Sequence, residues 1–218
     1  MPDKKIIAFV LYPGVTLLDA IGPYTALRGV PDIEVRFVAH EVGPVPDDST
    51  QLYLSATHTF YETPDPAVIV VPGSGIATDA AIADTGLIEW LQRTAQSAQW
   101  VTSVCTGSVI LAAAGLLEGR AATSHWGYLS RLEAFGIEAR PDDRIVEDGR
   151  FVTAAGVSAG IDFGLWLAAR LSDELTAKSI QLMMEYDPQP PFDSGHMSKA
   201  EADVIEKVFT DLAALTAP

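Results

Sequence analysis

Along this chain, short continuous apolar runs alternate with longer stretches in which apolar residues recur every three or four positions. The run "KIIAFVLY" (5–12) is rich in β-formers and predicts a strand buried on both faces. "IEVRFVAH" (33–40), "AVIVVPGSG" (67–75) and "WVTSV" (100–104) predict three more strands, and "RAATS" (120–124) a short one. In "RIVEDGRFVTAA" (144–155), two β-rich runs flank Asp148-Gly149, which is a hairpin signal. Between these runs the period lengthens. "PGVTLLDAIGPYTALRGV", after the first strand, predicts a turn and then a helix interrupted at Gly22-Pro23. "TGLIEWLQRTAQSA" (85–98) places Leu87, Trp90 and Leu91 at helical spacing. "TGSVILAAAGLLEG" predicts a helix ending at Gly115 or Gly119, and residues 158–171 and 174–186 predict two more. "DPQPPFDSG" (187–195) reads as a rigid surface segment. A last helix, roughly 198–215, has one apolar face of Val204, Ile205, Val208, Leu212 and Leu215.

Strands alternating with helices predict an α/β sandwich around a mostly parallel sheet. No repeat or long linker divides the chain, so one domain over 1–218 is expected. Ligands in such sheets bind outside the carboxyl ends of the strands. That rule brings Pro13 to Asp19, Pro72 to Gly75, and Cys105 to one edge.

Composition narrows the partners. At 48% hydrophobic and 20% charged residues, a substantial core is possible. A formal net charge of −15 repels phosphate backbones and anionic lipid, so neither nucleic acid nor membrane is an expected partner. The single cysteine forms no internal disulfide and builds no Cys-rich zinc site, which suits a reducing cytoplasm. The apolar run near the N-terminus breaks at Pro13-Gly14 and lacks a small-residue cleavage site, so a buried strand explains it better than a signal peptide. Dinucleotide, P-loop, HExxH, CxxC and GxSxG motifs are absent, and no metal or organic cofactor is expected.

Cys105 falls where a strand gives way to a helix, the geometry of a nucleophile elbow. Thr106 and Gly107 are small enough to let the turn close. The helix would aim its free N–H groups and positive dipole end at the sulfur, favouring thiolate. The position alone serves a buried structural cysteine equally well. Asp19 lies in the apolar stretch "TLLDAIGP", as a helix cap or as an acid/base near the cysteine. The "VVPGSG" turn offers backbone N–H groups at Gly73, Ser74 and Gly75 to a developing negative charge, though a plain loop explains it as well. His125 in "TSHW" is a candidate base or pocket wall, and a lone histidine is more often structural.

Taken in order, "YPGVTLLDAIGP", "VIVVPGSG", "SVCTGS" with "SHW", and "VTAAGVSAGIDFGLWL" resemble the ThiJ/PfpI superfamily, which is class I glutamine amidotransferase-like. Asp19 in the acid position and the "YDPQPPFDSG" segment resemble its isocyanide-hydrating members in particular. The resemblance implies a flavodoxin-like three-layer sandwich, mostly parallel, with helices on both faces, in a homodimer. It implies Cys105 as nucleophile, Asp19 as acid and Thr106 as flanking hydroxyl. Gly73 and Ser74 would supply oxyanion-type backbone donors, and Val157 a backbone group near the sulfur. The implied activity is hydration of an isonitrile to an N-substituted formamide through a cysteine thioimidate, without cofactor. Other activities of the superfamily, such as a glyoxalase-like one, or a redox- or ligand-sensing dimer, are the alternatives. Related regulators carry a helix-turn-helix domain after the sandwich, for which this chain leaves no room. Two positions depart from the pattern: Ala154-Ala155-Gly156 where a glycine run is common, and Ser74 where a glycine is usual.

Overall fold

The computed structural model describes residues 4–215, with side chains described through 212. The chain divides into two compact units, the first ending at Met184 and the second starting at Glu185.

The first unit runs β1 (Lys5–Val10), α1 (Leu17–Leu27), β2 (Ile33–Ala39), β3 (Gly43–Pro46), β4 (Tyr53–Ala56), β5 (His58–Thr59), β6 (Val68–Val71), α2 (Thr78–Ala83) and α3 (Thr85–Thr94). It continues through β7 (Trp100–Val104), α4 (Gly107–Ala113), β8 (Ala121–Ala122), α5 (Leu129–Ala134), β9 (Glu138–Ala139), β10 (Ile145–Asp148), β11 (Phe151–Ala154), α6 (Ala159–Leu171) and α7 (Glu174–Met183). A seven-stranded sheet forms in the order β10-β11-β7-β6-β1-β2-β5, antiparallel only between β10 and β11. This is the expected mostly parallel α/β architecture. β2 lies on one side of β1, and β6, β7 and β11 on the other. The order therefore reverses between β1 and β6, opening a crevice at their carboxyl ends.

The central strands carry the core because both faces are covered. Val68 to Val71, Ile7 to Val10, and Val101 to Val104 are all buried. β-branched residues suit this pleated, two-sided burial. Two close-packed helices then set the site. In α1, Pro23 offers no N–H to the Asp19 carbonyl four residues back, yet the helix continues through the Gly22-Pro23 pair, against the interruption expected there. The pair is used for packing against α6. A Cβ on Gly164 would stand 2.8 Å from Pro23 Cα, and one on Gly160 would stand 3.0 Å from Pro23 Cδ. Glycines at these points let the two helices approach. Both helices start at the carboxyl edge of the sheet, so their packing fixes Asp19 relative to the loop before α6.

Several further elements, among them β3, β4 and α2, are not legible as apolar runs. The β3–β4 hairpin is short and only partly buried, and its turn is held by Asp47, whose carboxylate accepts from Ser49, Gln51 and Leu52. The short α2 is alanine-rich with little amphipathic signal.

In the second unit, α8 (Ala202–Leu215) matches the last expected helix. On its expected apolar face, Ile205 and Val208 are half-buried, while Val204 and Leu212 are exposed. The side chain of Leu215 lies outside the described residues.

Candidate active site

Cys105 follows β7 directly and takes a left-handed φ of 58°, a conformation disfavoured for any residue with a Cβ. Its surroundings hold it there. The backbone N–H donates to the Ala154 and Ala155 carbonyls, and the carbonyl accepts from Ser108 Oγ and Ser124 Oγ, each at 3.1 Å. The elbow closes only because residue 107 is glycine, since a Cβ there would stand 2.0 Å from the Val71 carbonyl oxygen. That obstacle is strand backbone, which cannot move aside. Gly107→Ala is accordingly expected to cost at least about 3 kcal/mol or to prevent folding, read from urea unfolding curves.

Asp19 lies in the first turn of α1 and is fully buried. It does not cap the helix. Its Oδ2 accepts from the Gly73 N–H at 2.9 Å, across 54 residues of sequence. Its Oδ1 has no conventional hydrogen-bond partner among the described residues. The Cys105 thiol acts on this carboxyl as a weak donor. Burial pushes Asp19 up to about 7, against the opposing pull of the Gly73 N–H and the thiol, and nearby Asp48 adds to the rise. Burial is also the main reason that the Cys105 thiol is held well above the usual range, with the Asp19 charge second. The N–H groups of Val157 and Thr106 favour the thiolate without prevailing. This corrects the expectation from the helix dipole. Desolvation first and an adjacent carboxylate second oppose it, and both favour the thiol over the thiolate.

The loops Pro13 to Asp19 and Pro72 to Gly75 do converge on Cys105, as the strand-end rule requires. Thr16 N–H donates to the Gly73 carbonyl at 2.9 Å, and Tyr12 donates its hydroxyl to the Pro72 carbonyl at 2.9 Å. The expected roles within the Pro-Gly-Ser-Gly turn are corrected in detail. The Gly73 N–H is taken by Asp19, and the Ser74 N–H by Thr106 Oγ1 at 2.8 Å, so neither is available as an oxyanion donor. Ser74 instead joins two loops: its Oγ donates to the Gly14 carbonyl at 2.6 Å and accepts from the Ala77 N–H of its own loop at 2.8 Å. Gly73 must be glycine, since a Cβ would stand 2.5 Å from the Thr106 nitrogen. Gly75 is exposed, and its carbonyl accepts from the Tyr128 hydroxyl at 2.8 Å.

Thr106 is buried, and its hydroxyl bonds Ser74 and Thr78 Oγ1, the latter at 2.8 Å. Its side chain therefore fixes the neighbouring turn, while its backbone N–H addresses the sulfur. Val157 has a φ of 28°, unusual for a β-branched residue, and that backbone turns its N–H toward Cys105. His125 is half-buried and packs beside Gly156, where a Cβ would stand 2.7 Å from its Cδ2. Its ring lies 5.1 Å from that of Trp126, centroid to centroid, and its Nδ1 accepts from the Gly127 N–H. Burial lowers its pKa, which keeps the imidazole neutral and makes it a wall rather than a charged partner.

Sequence reasoning passed over several contributors. Tyr12 feels the charges of both Asp19 and Cys105, and Ser124 braces the elbow. Both stand inside quoted blocks, "YPG" and "TSHW", but a tyrosine or serine there carries no signal until the loops are brought together.

The model of the DJ-1/PfpI family matches residues 4–170 of the chain. The chain is 44% identical over 202 residues to isonitrile hydratase from Pseudomonas putida, covering 92% of this chain and 87% of that one. It superposes with a TM-score of 0.92 on the crystal structure of a ThiJ/PfpI family protein from Pseudomonas syringae, at 39% identity, with 97% of this chain and 87% of that chain covered. Drosophila melanogaster DJ-1beta shares the fold, with a TM-score of 0.77 at 18% identity over 84% of this chain and 98% of its own. The sheet order, the elbow and these similarities agree, and the chain belongs to the DJ-1/PfpI family.

Proposed function

We propose that this protein hydrates an isocyanide, R–N≡C, to the N-substituted formamide R–NH–CHO. The observation that carries the reading is the buried Asp19–Cys105 pair at the mouth of the β1–β6 crevice, in a chain with the isonitrile hydratase similarity given above. An isocyanide needs one proton and one nucleophile delivered to the same terminal carbon. The pair holds both. As Cys105 Sγ bonds to that carbon, its proton passes by way of Asp19 to the carbon, giving the thioimidate R–N=CH–S–Cys. Water then adds to this carbon, one of its protons passing by way of Asp19 to the nitrogen, and the C–S bond breaks as the second proton returns to sulfur, which restores the thiol and releases the formamide. The balance is one isocyanide and one water in, one formamide out. Val157 and Thr106 N–H groups hold the sulfur as negative charge develops on it. No cofactor is invoked, and the homodimer implied by the resemblance is part of the same proposal, checked by light scattering.

The working form carries one proton on the pair, shared between sulfur and carboxyl. Raising the pH through about 7 removes the second proton, from Asp19. The rate constant kcat/KM is expected to rise through that point and to stay level well past neutrality, because the thiol titrates far higher. A profile over pH 5–9 that falls through 7 would reverse the assignment. The activity itself is tested by incubating the purified protein with a simple isocyanide and following the formamide proton by NMR. Catalytic accumulation is expected, and none above buffer would sink the reading.

A glyoxalase-like reaction is favoured by a histidine beside the cysteine. His125 packs against Gly156 and Trp126 with its Nδ1 accepting from the Gly127 N–H, and lactate formation from methylglyoxal is expected to be absent. A redox-sensing role calls for an accessible thiolate, whereas Cys105 is 5% exposed and its burial disfavours the thiolate.

A further inference from the structure

The loop after β6 with the start of α2, and the 3-10 turn Trp126–Tyr128 with α5, are tied to each other in two places. Tyr128, ending the 3-10 turn Trp126–Tyr128, donates its hydroxyl to the Gly75 carbonyl, 53 residues away in sequence, at 2.8 Å. One turn further on, the Arg131 guanidinium contacts Asp79 at 2.5 Å and lies over the Tyr128 ring at 5.9 Å from its centroid. The first tie lies close to the reactive centre, since Ser74, next to Gly75, bonds the hydroxyl of Thr106, the neighbour of Cys105. The tied loop is also anchored inward: Thr78, between Gly75 and Asp79, bonds Thr106 Oγ1 and the Ser74 carbonyl. The His125 ring lies 5.1 Å from that of Trp126 and 6.4 Å from that of Tyr128, and Ile76, 72% exposed, follows Gly75 in the chain.

We propose that the Tyr128–Gly75 bond is a strap across the entrance to Cys105, and that it sets the largest R group the site admits. Tyr128 is on this account a specificity-determining residue that does no chemistry. A strap selects by size because it limits the width of the opening, and a small reagent passes whether it is fastened or not. The bond lies near solvent, where one hydrogen bond changes an opening equilibrium by about three- to tenfold. Opening is thus expected to be within thermal reach, which lets bulky substrates enter slowly rather than never. The proposal deepens the hydratase reading, but only its turnover arm depends on that reading.

Because Cys105 is the sole cysteine, thiol labelling reports access without any assumption about activity. Wild type and Tyr128→Phe are labelled with iodoacetamide and with N-benzylmaleimide, and intact mass gives each rate. Tyr128→Phe is expected to raise the ratio of bulky to small labelling about threefold or more. Arg131→Met, which breaks the neighbouring tie and leaves the phenol in place, is expected to move the ratio in the same direction and serves if the first variant does not fold. In turnover, Tyr128→Phe is expected to lower KM for cyclohexyl isocyanide relative to methyl isocyanide. An unchanged labelling ratio, or equal acceleration of both reagents, overturns the strap. If the ratio shifts but no isocyanide is hydrated by wild type, the strap stands and the hydratase reading falls.

Discussion

Cys105→Ala is expected to lower isocyanide turnover by at least about 10³-fold while leaving the fold intact. Two structural facts separate these outcomes. The sulfur is the only thiol in the chain and forms the bond to carbon in the proposed scheme, so no other group replaces it. The elbow, by contrast, is held by the backbone of residue 105 and not by its side chain. The N–H bonds Ala154 and Ala155, and the carbonyl bonds Ser108 and Ser124, in either variant. Alanine meets the same left-handed φ as cysteine, so the substitution adds no new backbone cost. Circular dichroism and the urea midpoint are expected to match wild type closely. Retention of more than a tenth of the activity would remove the sulfur from the chemistry.

Asp19→Asn is the second large effect, and it moves two properties of the site in opposite directions. Turnover is expected to fall by about 10²- to 10⁴-fold, the usual range for losing a positioned acid/base. Alkylation of Cys105 near pH 8 is expected to accelerate, because the carboxylate charge and its hydrogen bond to the thiol both hold the thiol pKa up. A merely structural aspartate would lower turnover without freeing the thiol. Stability supplies an independent reading. Asp19 is pushed from its ordinary 3.8 up to about 7 in the folded chain. Between about pH 4 and 7 the unfolded chain gives up this proton while the folded chain keeps it, so stability falls as pH rises through that window and is level above it. An offset of that size is worth on the order of 4 kcal/mol. The carboxamide of the variant does not titrate, and its oxygen still accepts from the Gly73 N–H. The urea midpoint of Asp19→Asn is therefore expected to exceed that of wild type by more at pH 8 than at pH 5. Equal gaps at both pH values would contradict the buried, high-pKa carboxyl.

How far the site was legible in advance follows from what each residue depends on. Cys105 and Gly107 were visible because a strand-to-helix junction with small residues is a local pattern. Asp19 was visible because a lone carboxylate in an apolar stretch is conspicuous. The parallel sheet followed from β-rich runs spaced by helical periods, and the strand-end rule then placed three loops together. What sequence could not give was direction. The Gly73 and Ser74 N–H groups looked free in a loop, and only the packing of α1 and α4 shows that Asp19 and Thr106 take them. The thiol pKa went the other way for the same reason, because desolvation and a carboxylate distant in sequence are properties of the folded chain. The helix through Gly22-Pro23 was misjudged because the glycines that receive Pro23, at 160 and 164, lie on another element. The β3–β4 hairpin and α2 escaped notice because neither buries a periodic apolar face.

In the proposed reaction Cys105 is the group that bonds the isocyanide carbon. Its most direct test is formamide release by the wild-type protein before and after graded alkylation of its single cysteine, with the modified fraction read by intact mass. The predicted result is catalytic formamide release from unmodified protein that declines in proportion to the alkylated fraction and vanishes at completion. Full-rate release from completely alkylated protein, or no release from the unmodified protein, would contradict it.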